Sequence, residues 1–543
     1  MNPDAPPASE PSTTGRVPGG QEGPGESGRL WTSALLLAAL GFLAFVLSVV
    51  WQLVIAHSFG TSADLDAFWV GLALPKAVVE SFHMGILTVV FILIFNRPGA
   101  SASRSAEWRL ASSFVNAVLG ATLVGIPILV LGAPFLVRLM APGLDPESLA
   151  TAGRVLQLTS LMLIPTALTG AIAGILHARK EYLPFAAARV AGLSVQILVL
   201  VLVSRASGVH GIGWGLLAGA VAMLVACASS LRRTGFRYAP TLGFAAAGAT
   251  DVTAVFATFA AFSFLDRVNQ MAGRFFASLL GPGAVSAFEF GWRFEIPVST
   301  ILSMSVALPS LAVMANQASA KRLLDLRRTV ATGLTLIAWL VFPAIGFMVV
   351  FRESLTVLWL QRGAFSAIDS REVASLIPAL AVSFAMRALG TITVFGLLAV
   401  RRLRALIAIL TLEVVANAAL ISLLVGPWGL QGIVVATATT MLGSGVALAV
   451  VLLRQLEGWS PREFAQSVAR PLLATATSVG LLAVSHRLLA PPGSSTMGGL
   501  VGQLLAFGSA FLVAHLFVGR ALGLVETGRR AGGPWLRFRE PPV

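Results

Sequence analysis

Seven basic side chains lie within stretches apolar enough to cross a bilayer: Lys76, Arg154, Arg189, Arg267, Arg274, Arg293 and Arg387. A charge at the centre of the hydrocarbon costs about 3 kcal/mol even on a lenient insertion scale. Such residues must therefore face a protein interior or a watery cavity, unless they sit close to a helix end. Lys76 and Glu80 are four apart, as are Glu289 and Arg293, so each pair shares a helix face. Arg267 and Arg274 are seven apart on one face, with Asp266 beside the first. A planar guanidinium offers two charge-assisted hydrogen bonds to phosphate oxygens. The cluster predicts a cationic cavity suited to a diphosphate, with carboxylates tuning it. The plainer alternative is that each pair only ties two helices together. Arg154 and Arg189 lie nearer span ends and are expected to snorkel to the interface, whereas Arg387 stands alone. Glu413 and Asn417, again four apart, predict an interhelical polar contact. Trp51 is expected in the interfacial aromatic belt.

The stretch Leu65–Phe95 must position much of this cluster. It is long enough to span a bilayer, yet it carries Asp66, Pro75, Lys76, Glu80 and His83. Pro75 removes a backbone donor and bends or breaks the helix, which a membrane tolerates where the helix lines a cavity. An echo follows in the second half. Ser286-Ala287-Phe288 and then Pro297 resemble Asp66-Ala67-Phe68 and then Pro75, with two extra residues between. Broken, charged helices at corresponding places in two halves point to a transporter's central site. Pro75, Gly85 and Pro297 are the expected hinges.

Composition bounds the class. The 543 residues are 56% hydrophobic and 11% charged, with a mean hydropathy of +0.84, which excludes a soluble enzyme. A net charge of +14 could suggest nucleic acid, but the positive residues sit in short loops between apolar spans. One cysteine excludes an internal disulfide framework, and six scattered histidines argue against zinc. No phosphate-cradling GxxxxGK[ST] loop is present. Fourteen spans are expected, at 31–57, 66–95, 110–133, 149–177, 183–204, 208–231, 252–280, 284–316, 328–351, 372–400, 403–425, 428–453, 466–489 and 496–520. Loops on the side of the termini hold 25 Lys and Arg, and the opposite loops hold six, so both termini are expected in the cytoplasm. The Pro-, Gly- and Ser-rich residues 1–29 are expected to be a disordered tail without a signal peptide, and 521–543 a second cytoplasmic tail.

Several motifs then carry a family resemblance. They are Gly60–Pro75 (GTSADLDAFWVGLALP) with Gly85, Met140–Ser148 (MAPGLDPES) and Phe275–Phe290 (FFASLLGPGAVSAFEF). Glu295-Ile296-Pro297, Val306–Leu311 (VALPSL) and Leu360–Ser370 (LQRGAFSAIDS) follow in order. Over about residues 30–520 the chain resembles the MviN/MurJ family of lipid II flippases. That resemblance implies an all-α polytopic fold of two pseudo-symmetric six-helix lobes around a central cavity, with two extra helices forming a groove for a lipid tail. The lobes would span 30–235 and 250–455, and the extra helices 465–520. It implies transport of an undecaprenyl-diphosphate-linked glycan, a cell-wall precursor, across the bacterial cytoplasmic membrane by alternating access. Partners would be that lipid-linked glycan, membrane lipids and envelope-synthesis enzymes, with no nucleic acid, and the chain would be a monomer. No catalytic residue, metal or cofactor is expected, though coupling to membrane potential or an ion gradient is.

The chain departs from the family pattern at the cavity. Trp51 and Gln52 stand where an Arg-Asp pair is usual, Val79 replaces the second-helix arginine, and Gly291-Trp292 replace an Asp-Arg pair. Asp66 and Glu295 match. Lys76, Arg267, Arg274 and Arg293 are expected to supply the charge from other positions, with Asp66, Glu80 and Glu295 completing the substrate site. Two alternatives stay open: a drug exporter of the same fold, and a transport-inactive scaffold for envelope synthesis.

Overall fold

The computed structural model describes residues 24–80, 104–231, 238, 249–456, 461–489, 497–526 and 537–538. The tail before Pro24, most of the tail after Glu526, and the expected hinge Gly85 with His83 lie outside these residues.

Sixteen α-helices account for nearly all of the described chain. The first seven are α1 (Pro24–Phe59), α2 (Ala63–Val78), α3 (Arg104–Met140), α4 (Pro146–Ser160), α5 (Leu163–Ala178), α6 (Leu183–Ser207) and α7 (His210–Leu231). The second lobe holds α8 (Ala249–Ser278), α9 (Ala284–Trp292), a π-helical stretch at Ile296–Ser303, α10 (Met304–Ser319), α11 (Leu323–Val350), α12 (Arg352–Leu360), α13 (Ala367–Ala399) and α14 (Leu403–Gln455). Then come α15 (Pro461–Leu489) and α16 (Met497–Ala521), with a two-residue β pair after them.

Ten of these segments are long and apolar enough to cross a membrane on their own. The other four expected spans are where the sequence resists a simple helix. α2 and α8 carry charge, α9 and α10 are separated by the π stretch, and α14 runs 53 residues through a bend at Gly429 (φ 55°) and so holds two spans. Both broken helices fall where the repeated proline predicts: the π turn Val79–Glu80 follows Pro75, and Pro297 opens the second π stretch.

The family-like motifs turn out to be helix starts. Asp145 caps α4, its carboxylate accepting from Glu147 N and Ser148 N at 3.1 Å, with Pro146 at the first helical position. Hydrogen bonds, that from the Ser148 side chain foremost, hold the exposed Asp145 carboxyl below its ordinary range. Ser366 and Asp369 form a reciprocal capping box on α13.

Three helix ends on the terminal side share a different device. Glu181 N, Arg322 N and Arg402 N reach back to Leu176 O, Gln317 O and Leu397 O at 2.9–3.0 Å. The residues just before, Lys180, Lys321 and Arg401, adopt φ of 62°, 57° and 56°, a position glycine normally fills.

The extra helices pack on the second lobe. Arg327 pairs with Glu463 at 2.5 Å, Thr335 Oγ1 donates to Ser467 O at 3.1 Å, and His515 stacks on Trp339 at 4.0 Å. Outward faces are apolar, as at Leu131 and Phe517, which suits lipid contact. Arg154 and Arg189 are exposed.

Candidate functional site

One end of the bundle, opposite the termini, is sealed by contacts between the lobes. Asp66 on α2 reaches the start of α9, where one carboxylate oxygen accepts from Gly283 N at 2.7 Å. The other accepts from Ser286 N at 2.7 Å and Ser286 Oγ at 2.5 Å. This is a helix N-cap supplied across the lobe interface, so the helix dipole favours the charge as well. The first members of the two sequence repeats, Asp66 and Ser286, therefore bond to one another. Thr61 Oγ1 donates to Asp369 Oδ1 at 2.5 Å, and Ala364 N to His57 O at 2.9 Å. Gly60 (φ 57°) and Gly283 (φ 88°) let the backbones meet, because a β-carbon on either would overlap backbone atoms of the other lobe.

Asp66 is thus a correction to the expected cavity set. Its side chain is fully buried in the seal and touches no open space. In this chain the Asp66 carboxylate joins the two lobes at the seal and does not line the chamber.

Beyond the seal lies a chamber of about 670 Å³. α8, α9, the π stretch, α13 and α14 form most of its wall, and the end of α2 closes it from the first lobe. Leu398 and Leu406, which flank the α13–α14 turn on the terminal side, also line it. Of the residues expected at the site, the chamber collects Lys76, Glu80, Arg267, Arg274, Arg293 and Glu295. Pro75 sits buried immediately before Lys76, and Pro297 lies two residues after Glu295.

The chamber is not cationic, and this is the second correction. Five positive groups (Lys76, Arg267, Arg274, Arg293 and Arg387) face five carboxyl groups (Glu80, Asp266, Glu289, Glu295 and Glu413) among its described lining residues. Most are engaged. Arg267 meets Glu80 at 2.6 Å and Asp266 at 3.4 Å, while Lys76 meets Glu80 at 3.9 Å. Arg274 and Glu289, both nearly buried, pair at 2.5 Å. Arg387 bridges Asp266 at 2.9 Å and Glu295 at 3.0 Å. The isolated residue of the sequence reading is thus a centre of the network. The sequence could not show this, because Arg387 lies more than 90 residues from either partner.

Arg293 differs. Among the described residues it makes no ion pair; its guanidinium lies 4.9 Å from the Trp69 ring centroid and 5.8 Å from that of Trp51. The Gln52 amide, with its oxygen turned toward the guanidinium, accepts from Nε and Nη1, each at 3.2 Å. Trp51 is buried, and it meets Trp69 edge to face at 6.3 Å, so it belongs to this socket and not to an interfacial belt. The two residues that break the family's usual pattern in α1 are the ones that hold Arg293. Glu413 and Asn417 make the expected interhelical contact through Asn269, at 3.1 and 2.7 Å.

A family model described as "Lipid II flippase MurJ" matches residues 55–496. The chain belongs to the MurJ family. A probable lipid II flippase MurJ of Synechocystis is 25% identical over 83% of this chain and 87% of its own length. Another, of Buchnera aphidicola, is 21% identical over 62% and 66%. The fold matches a solved MurJ in an inward closed conformation with a TM-score of 0.74 at 15% identity, covering 90% of this chain and 99% of that one. It also matches an inward-facing MATE family multidrug transporter at 0.62 and 12% identity, covering 78% and 98%. The MurJ fold is thus present here with a chamber lined by equal numbers of positive and carboxyl groups.

Proposed function

We propose that this chain is a flippase that moves an undecaprenyl-diphosphate-linked glycan, lipid II or a related cell-envelope precursor, from the inner to the outer leaflet of the bacterial cytoplasmic membrane. The observation that carries the reading is a polar chamber, sealed at one end by inter-lobe hydrogen bonds, inside a MurJ-family bundle. A sugar diphosphate cannot cross about 30 Å of hydrocarbon exposed. The chamber shields it while the polyprenyl chain stays in lipid, against α15 and α16. With both termini in the cytoplasm, as the loop charges favour, the seal lies on the outer side and the chamber takes its load from the inner leaflet.

Arg293 is the group best placed to meet the diphosphate. Its partners are aromatic faces and one amide, worth about 1–2 kcal/mol in total where partly desolvated. A bidentate phosphate contact is stronger. Because Trp51 and Trp69 belong to the first lobe and Arg293 to the second, drawing Arg293 toward the load loosens a contact beside the seal. Release of Asp66 from α9 and of Thr61 from Asp369 then lets the lobes rock to the outward state.

The test is complementation in cells depleted of their own lipid II flippase. Rescue by the native chain, and loss of rescue by Arg293→Glu at normal protein level, is the expected result. Rescue that survives Arg293→Glu would remove Arg293 from the mechanism. A native chain that reaches the membrane and does not rescue would exclude lipid II as its load.

A further inference from the structure

The chamber's charges do not run along its whole length. Arg387 meets Asp266 at 2.9 Å and Asn269 meets Glu413 at 3.1 Å, so α8, α13 and the first half of α14 bring their charges to one layer. Arg267 and Glu80 join that layer through their own 2.6 Å pair. From there α13 continues toward the side of the termini, where its lining residues are Gly390, Thr391, Val394, Phe395 and Leu398. Thr391 returns its hydroxyl to Arg387 O at 3.0 Å, which leaves this stretch apolar. On α14 the lining residues on the same side of Glu413 are Leu410 and Leu406. Arg402 Nε donates to Gln455 Oε1 at 2.8 Å and ties the two ends of α14 together, so Leu448 on its second half falls beside Leu406 and Leu410. With a rise of about 1.5 Å per residue, Leu398 lies about 16 Å beyond Arg387, and Leu406 about 10 Å beyond Glu413. Three helix segments therefore agree that the described lining past the charged layer is hydrocarbon.

A diphosphate held by the chamber's arginines carries its first isoprene units with it, because they are esterified to the phosphate. Turned toward the seal, those units would lie against Arg274, Glu289 and Arg293, and apolar carbon would strip the charges of solvent. Turned toward the termini, they meet apolar side chains. We propose that this apolar end is a subsite for the isoprene units next to the diphosphate, an inference that rests on the flippase reading. The load then sits with its glycan toward the seal and its lipid trailing toward the leaflet it came from, and the rest of the polyprenyl chain stays in the bilayer. Burial in the subsite gains little over lipid, which is as apolar as leucine. Its effect is positional: the diphosphate can lie deep among the arginines without drawing hydrocarbon across charge. A glycan diphosphate that lacks a lipid leaves the subsite unfilled.

Photolabelling of the full chain in lipid nanodiscs tests this. The probe is a polyprenyl-diphosphate-linked N-acetyl sugar with a diazirine either on the isoprene unit next to the phosphate or on the unit at the far end of the chain. After irradiation, the labelled residues are mapped by mass spectrometry. The near-end probe is expected to label residues 394–398 and 406–410, with loss of that labelling when unlabelled lipid-linked sugar is added. The far-end probe is expected to leave those residues unlabelled. Competed labelling of α15 and α16 by the near-end probe, in place of α13 and α14, would overturn the inference and leave the flippase reading intact. So would labelling of the same residues by a photoactivatable phosphatidylglycerol that the lipid-linked sugar does not displace, since an ordinary membrane lipid would then fill the apolar end. Absence of any competed labelling of the chain by either probe would overturn both.

Discussion

The sealed end and the chamber both use carboxylates, yet they use them in opposite ways. At the seal, Asp66 receives two backbone amides and a hydroxyl, donors fixed by the start of α9 that no ligand can carry off. In the chamber, Glu80, Asp266 and Glu295 receive arginine forks on flexible stems, and those forks could equally serve a phosphate. A seal of neutral donors depends only on how the lobes sit against each other. A chamber of shared ion pairs depends on what is inside it. The two regions separate the question of whether the lobes are closed from the question of what is bound, and Arg293 lines the chamber while resting on Trp51 and Trp69 of the first lobe.

The largest test of this contrast removes the arginine that holds the chamber together. Arg387→Ala leaves Asp266 with Arg267 and the Gln270 amide and takes the bridging arginine from Glu295, both inside the bundle. Breaking such a pair on one side costs about 3 kcal/mol. Thermal unfolding in detergent is expected to drop by several degrees and transport to be lost, while Arg387→Met, of similar length and also uncharged, should not restore either. Unchanged stability in both variants would mean that the network is incidental.

A smaller effect is expected at the seal, and on a different readout. Asp66→Asn keeps one acceptor oxygen but loses the charge that the α9 amides favour, worth about 2 kcal/mol. That shifts the balance between sealed and open lobes by roughly thirtyfold. With Ala284→Cys as reporter, buried at the start of α9, accessibility to a membrane-impermeant thiol reagent applied from outside should rise in the Asp66→Asn background. The native Cys227 is buried and remains as a control. The chamber's affinity for a lipid diphosphate should stay within a few fold; a large loss of affinity with no change in accessibility would merge the two regions that the structure separates.

Much of this was legible beforehand, and the failures have a common cause. Hydropathy marked the ten segments that are apolar enough to cross among the described residues, and the fold is consistent with the fourteen expected, because burial in lipid acts on about 20 residues at once. The repeat of Asp66-Ala67-Phe68 in Ser286-Ala287-Phe288 marked both broken helices, though not that its two members bond to each other. Glu413 and Asn417 were readable as a contact because they share a face. What escaped was pairing between distant helices. Nothing in the spacing of Arg387 reveals Asp266 or Glu295, and nothing near Trp51 reveals Arg293. Asp66, read as a cavity residue from its charge alone, shows that a costly buried carboxylate can be stabilised by a helix end as well as by a cation.

The smallest expected effect lies in neither region and sharpens the contrast by standing outside it. Lys321 ends α10 in the left-handed conformation (φ 57°), where its β-carbon costs about 1 kcal/mol. Its charge near a helix C-terminus offsets part of that, about 0.3–1 kcal/mol. Lys321→Gly removes both the strain and the charge, so stability should rise by at most about 1 kcal/mol, read as a gain of one to two degrees in thermal unfolding. Lys321→Ala keeps the strain and removes the charge, and should lose stability slightly. Neither should alter thiol accessibility at the seal or binding in the chamber. A change in either would mean that the turn after α10 is coupled to lobe closure, and that the device shared by Lys180, Lys321 and Arg401 does more than end three helices.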